Sequence, residues 1–200
     1  MKGRSRQTYV LAAAGTEEHV RVIRQTIRAV PLAGGQMHIA QAYTIAQIRQ
    51  GVSGVGLEAP ADLVIAEMPL RDRTGVEGIV DIAARNPDLQ IVLLVRQEAY
   101  EQVMYQCRNL QVFVLSLPIR RQVLTEAAAF MIRLKEVLAD KDKELMRLRR
   151  NLSEITIITR AKIHLMQVRN LDEAEAHYYL EKEAMDRGIS KKEVAEEILR

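Results

Sequence analysis

Ile155–Leu199 reads ITIITRAKIHLMQVRNLDEAEAHYYLEKEAMDRGISKKEVAEEIL, and its punctuation divides it into three short helices. The first ends near Asn170. Asp172 then offers a side-chain oxygen to the free amides of a second helix, with Glu175 three residues on, in position to reach back to the capping residue's own N–H. Gly188 supplies the left-handed residue that stops this helix. Ser190 opens a third in the same way, with Glu193 at the same spacing.

The apolar residues keep helical spacing. Ile155, Ile158, Leu165 and Met166 fall along one side of the first helix. Ala176, Leu180 and Ala184 mark the second, and Val194, Ile198 and Leu199 the third. With so many alanines the helices can approach closely but bury little area. At about 25 cal/mol per Å² of apolar surface, so small a bundle is marginal by itself.

Ala161-Lys162, Leu165-Met166, Glu175-Ala176, Leu180, Ala184-Met185 and Val194-Ala195 together resemble the signature of the ANTAR domain, the RNA-binding module of transcription antitermination regulators. The resemblance implies binding to hairpins in nascent leader RNA, which keeps an intrinsic terminator from forming.

Upstream of the bundle the chain has no reason to leave the helix. Neither glycine nor proline occurs from Ile119 to Arg187. A heptad places Met131, Leu138, Leu145 and Leu152 at one seam position and Leu134, Leu148 and Ile155 at the other, with Lys141 the one charged seam residue. A single helix cannot bury such a seam, so the spacing predicts a parallel coiled-coil homodimer; the alternative is an amphipathic helix folded back on its own domain. Lys141 would weaken the seam while penalising wrong registers.

From Tyr9 to Leu117 short apolar runs alternate with helical patterns. Strands are predicted at Tyr9–Ala14, Met37–Ala42, Asp62–Ala66, Ile91–Val95 and Val112–Leu115. Helices fall between them, the first opening at Thr16 and carrying Val20, Ile23 and Ile27 inward. Five strands alternating with helices imply an α/β fold with a parallel, doubly wound sheet. Chemistry in such sheets gathers at the carboxyl ends of the strands.

This layout resembles the flavodoxin-like (CheY-like) receiver domain of bacterial response regulators, most closely at Asp62–Pro69, DLVIAEMP. The family's residues are replaced one after another. Glu67 stands at the phospho-acceptor position, and Ala12, Ala13 and Ala14 stand where an acidic pair would hold Mg²⁺. Val95 replaces the hydroxyl residue, and Leu117 the lysine before proline. Phosphoryl transfer needs positive charge against the phosphate oxygens, and neither metal ligands nor lysine remain to supply it. The resemblance is therefore to a pseudo-receiver. Glu67 either mimics an aspartyl phosphate or is a solvated loop acid, and the missing lysine favours the second.

Composition sets the remaining bounds. Two hundred residues at 48% hydrophobic content suffice for a core and one or two domains. A net charge of +3 is compatible with nucleic acid but far below that of a basic DNA-binding domain. Cys107 is the one cysteine, which excludes an internal disulfide or a cysteine-built zinc site, and is expected as a buried small hydrophobe. No apolar run has the length of a membrane span and no signal-peptide core follows the N-terminus, so a cytoplasmic protein without membrane contact is expected. No phosphate loop, metal-ligand cluster or nucleophile–base pair argues for an enzyme, and no cofactor is expected. His19, His38, His164 and His177 are scattered and read as surface or packing residues.

Arg147, Arg149 and Arg150 alternate with acids upstream and read as a solvated helix face. Arg160, Lys162, Arg169, Arg187, Lys191 and Lys192 cluster near helix ends and loops, where side chains reach phosphates or splayed bases, and are the candidate RNA contacts. For Lys162 the competing expectation is an ion pair with an acid such as Glu181 or Glu183. Of Tyr178 and Tyr179, one is expected to pack inward.

The sequence thus predicts a receiver over residues 1–120, a coiled-coil helix over 121–154 and a three-helix ANTAR bundle over 155–200. AmiR-type regulators share this arrangement, and by that resemblance a regulatory protein partner or a small ligand would take the place of a kinase. A signalling adaptor whose coil and bundle bind only protein is one alternative, and DNA binding is another. The second is weakened by the third helix, Lys191 to Leu199, which has few side chains able to read a major groove.

Overall fold

The computed structural model describes residues 7–31, 35–55 and 57–200. The chain divides into two compact units, Met1–Leu138 and Ala139–Arg200.

In the first unit, β1 (Gln7–Ala13), β2 (Gln36–Ala42), β3 (Leu63–Glu67), β4 (Gln90–Arg96) and β5 (Val112–Leu117) form one parallel sheet in the order β2-β1-β3-β4-β5. Helices α1 (Glu17–Ile27), α2 (Ile45–Val52), α3 (Glu77–Arg85) and α4 (Tyr100–Cys107) connect the strands, as the predicted alternation requires. Thr16 caps α1 by accepting the His19 N–H at 3.2 Å, and Thr44 caps α2.

Strand residues point alternately to the two faces, and each face has its own core. Val10, Ala12, Leu63, Ile65, Val92 and Leu94 pack with Val20, Ile23 and Ile27 of α1. Leu11, Val64, Ala66, Ile91, Leu93 and Val95 pack with α2, α3 and α4 through Ile48, Ile79, Ile82, Val103 and Cys107. Cys107 is buried as expected, and desolvation raises its thiol pKa, the behaviour of a small hydrophobe.

The long helix α5 runs without a break from Arg121 to Arg169. Its first turns belong to the sheet's core: Leu124, Ala128, Met131 and Ile132 are buried on the α1 side, with Leu134 packed against them. Lys135 Nζ meets Asp62 Oδ1 at 2.7 Å, and Asp62 Oδ2 accepts the Tyr9 N–H at 2.8 Å, which ties this part of α5 to the start of the sheet. Met131 is therefore not a seam residue, and Leu134 is partly covered by its own sheet domain. They fit the heptad because core-facing residues of a packed helix recur at nearly the same interval as those of a coiled coil.

In the second unit, α6 (Glu173–Arg187) and α7 (Lys191–Ile198) complete the bundle. Both capping boxes form. The Glu175 N–H donates to Asp172 Oδ1 at 2.7 Å and the Asp172 N–H to Glu175 Oε2 at 2.9 Å; Ser190 and Glu193 repeat the exchange at 3.2 and 2.8 Å. Gly188 ends α6 at φ 63°. The core is Ala161, Leu165, Ala176, Leu180, Ala184, Val194 and Ala195. Met166, expected in the core, lies outside it at 36% exposure, and Ile155, on the same side of the helix in sequence, is 61% exposed. Ala161 and Leu165, four residues apart, fill the side of α5 that faces α6 and α7, with Ile157 and Ile158 partly buried beside them.

Among the described residues, no helix is long and apolar enough to cross a membrane.

Candidate nucleic-acid interface

Five of the six cations nominated from sequence are held by partners inside the bundle. Lys162, only 18% exposed, places Nζ 2.8 Å from Glu173 Oε1 in the first turn of α6. Its acid is Glu173, not Glu181 or Glu183. The hydrogen bond and charge of Lys162 hold the Glu173 carboxyl below the usual carboxylate range. Arg187 grips Glu197 with both terminal nitrogens, at 2.7 and 2.9 Å, a fork-to-fork pair that lowers the Glu197 pKa and raises that of the guanidinium. Lys191 bonds Glu181, and Lys192 lies 3.5 Å from Glu196. Arg169 sits over the Tyr179 ring, 4.7 Å from its centroid.

Arg160 is exposed and its side chain has no partner among the described residues. A feature missed from sequence lies on α6. Ala176, Leu180 and Ala184 face the core, which leaves Tyr178 (64% exposed), Lys182 and Met185 (77% exposed) outward at positions i, i+4 and i+7. The alternation of small and large residues in AHYYLEKEAM carried that signal. Tyr179 is the tyrosine that packs inward.

Leu138, Leu145, Leu148 and Leu152 of α5 are all exposed, whereas Met131 is buried and Leu134 partly buried against the sheet domain's core. Lys141, the seam cation, bonds Glu144 at 2.8 Å.

At the carboxyl edge of the sheet, the ends of β1, β3, β4 and β5 bring together Ala13, Ala14, Glu67, Val95 and Leu117. Both alanines and Val95 are buried. Glu67 is not a free loop acid: Oε1 lies 2.7 Å from His19 Nδ1, and its side chain is 16% exposed. His19 was unremarkable in sequence, forty-eight positions away from Glu67; the capped first turn of α1 brings it there. Among the described residues no group of three metal-ligating side chains forms.

An ANTAR domain is present over residues 146–199. No curated protein matches the chain. Solved structures similar to it include the signal receiver domain of an HD domain-containing protein from Pseudomonas fluorescens Pf-5, 20% identical over 66% of this chain and 99% of that one, with a TM-score of 0.53. A response regulator receiver domain protein from Clostridium thermocellum is 16% identical over 66% and 98%, with a TM-score of 0.53. An adenylate cyclase from Rhodopirellula baltica is 13% identical over 70% and 98%, with a TM-score of 0.56. These likenesses establish the receiver fold. The chain thus joins a receiver fold to a C-terminal ANTAR domain.

Proposed function

We propose that the chain is a cytoplasmic, homodimeric transcription antiterminator of the AmiR type, which binds hairpins in nascent leader RNA through its C-terminal bundle. The observation that carries this reading is the ANTAR match over residues 146–199, on a bundle whose capping boxes and alanine core form as its signature implies. In this reading residues 1–120 and the first turns of α5 are a pseudo-receiver, 121–154 include the dimerising coil, and 155–200 bind RNA. Leu138, Leu145, Leu148 and Leu152 form the seam.

Arg160 and Lys182 carry unpaired charge to the RNA, and Tyr178 offers a face on which a loop base stacks. Arg187, Lys191 and Lys192 exchange exposed carboxylates for phosphates, since exposed ion pairs are weak. The receiver takes no phosphoryl group: Glu67 is occupied by His19, and alanines replace the metal-binding acids. A partner protein or a small ligand then controls the dimer.

The internal pairing of five bundle cations favours one second reading, a protein-binding adaptor. Gel shift of the full chain against a pool of hairpins decides between the two. Retention of a hairpin subset at a protein concentration that leaves scrambled loops free is the expected result, and no retention leaves the adaptor.

A further inference from the structure

Helix α1 carries Arg21 and Arg24, and Arg28 stands at its C-cap, so the three are spaced i, i+3 and i+7 along its outer surface. Like charges at these spacings repel; Glu17 and Glu18 stand four and three residues before Arg21, but no acid has that spacing to Arg24. Arg24 has Val20, Arg21, Ile27 and Arg28 as its helical neighbours, with no acid among them. Beside the stripe is a polar cavity of about 260 Å³, lined by Glu17, Arg21 and Arg24 of α1 and by Gln41 and Tyr43 at the end of β2. Neither Glu67 nor His19 lines it.

The donors around this cavity outnumber their partners. Arg24 Nη1 donates to Gln41 Oε1 at 3.3 Å, while Arg24 Nε is buried and makes no hydrogen bond. The side chain of Arg21 has no partner among the described residues. A third guanidinium, Arg71, lies 3.9 Å over the Tyr43 ring and donates to the Gly15 carbonyl at 3.1 Å, which fixes the wall formed by Tyr43. The one carboxylate, Glu17, is 72% exposed and leans toward Arg71 at 3.7 Å. Among the described residues neither Arg21 nor Arg24 is thus held in an ion pair, and Arg24 has no acid at helical spacing. A buried cationic N–H without a partner is costly unless a ligand satisfies it.

We propose that this cavity is a binding site for phosphoryl oxyanions, presented by a small phosphorylated metabolite or by a nucleic-acid backbone. Guanidinium forks match phosphate oxygens in pairs. A single carboxylate would offset only one of the two arginines, whereas a phosphate monoester of roughly −1.5 to −2 charge, or two successive phosphodiesters, offsets both. The amide of Gln41 and the hydroxyl of Tyr43 supply further donors at the wall.

The test is titration calorimetry of the full chain with adenosine 5′-monophosphate, with adenosine, and with a short hydroxyl-ended oligouridylate, for wild type and for Arg21→Gln/Arg24→Gln. The monophosphate binding with a Kd below about 1 mM and adenosine not binding is the signature of a metabolite site, with a loss on the order of tenfold in the double variant. For a backbone site the oligouridylate is the ligand, and its salt slope falls by roughly 0.7 per lost phosphate contact in the variant. Arg21→Gln alone removes an exposed side chain without a partner, so it reads the same loss in a folded protein if the double variant unfolds. The proposal is overturned if neither probe binds the wild type, or if both bind the variants as they bind the wild type.

Discussion

Lys162 Nζ lies 2.8 Å from Glu173 Oε1, which joins the last turns of α5 to the first turn of α6 across the loop containing Asn170. Asn170 sits at φ 53°, and the capping box at Asp172 restarts the helix two residues later. The pair therefore does two things at once. It holds the corner of the bundle and, under the proposed function, supplies a cation that an RNA phosphate draws away from the exposed acid Glu173.

That double role separates the two partners experimentally. Lys162→Ala is expected to weaken hairpin binding and to flatten its salt dependence by about one phosphate contact. Glu173→Ala frees the lysine and is expected to tighten binding. If both variants lose affinity only in proportion to lost helical signal, Lys162 is a structural residue.

Phosphorylation is expected to fail. Incubation of the full chain with acetyl phosphate and Mg²⁺ should add no mass, and Glu67→Asp should not restore the reaction, because Ala13 and Ala14 supply no metal ligand beside it. A stoichiometric gain of one phosphate on the receiver would refute the pseudo-receiver reading.

The two ends of the apparent heptad should respond differently. Leu145→Lys or Leu148→Lys is expected to give monomers that keep the receiver's melting temperature, since both leucines are half exposed in one chain. Met131→Ala is expected to cost roughly 2–5 kcal/mol of receiver stability, because the side chain is buried on the sheet, with no direct effect on assembly. Sedimentation and thermal melts read the two outcomes, and a monomeric wild type at micromolar concentration would remove the seam.

In the bundle, Leu180→Ala is expected to cost roughly 2–5 kcal/mol, as the side chain is fully buried at the centre of its core. Met166→Ala should stay within about 0.5–1 kcal/mol, the range for a partly exposed position. Urea melts of the helical signal distinguish them. Equal losses would place Met166 back in the core.

Acid should weaken the bundle in a defined window. Hydrogen bonds from Lys162, Lys191, the Ser190 backbone and Arg187 hold Glu173, Glu181, Glu193 and Glu197, respectively, below the usual carboxylate range. A carboxyl with a depressed folded pKa contributes stability above its unfolded value, about 4.3, and loses it as pH falls through the folded one. Bundle stability is therefore expected to be flat above roughly pH 5 and to decline below it. Glu193→Gln should be less stable at neutral pH and show a shallower decline. A decline that begins above pH 6 would point to histidine instead.

The sequence by itself determined what depends on near neighbours. Alternating apolar runs placed all five strands, and Asp172, Gly188 and Ser190 placed the ends of α6 and α7, because caps and turns act within a few residues. That Ala13, Ala14, Glu67, Val95 and Leu117 share the carboxyl edge of the sheet was likewise legible, since all five lie at or next to the ends of parallel strands. Tertiary structure decided what depends on distant partners. A heptad cannot tell a helix that packs on a sheet from one that packs on its copy, so only the fold removed Met131 from the seam. A lysine's charge is in the sequence but its counter-ion is not, so only the bundle's corner gave Lys162 to Glu173. His19 and Glu67, and the arginine-lined cavity between α1 and β2, likewise exist only once crossover helices bring residues far apart in the chain within hydrogen-bond range.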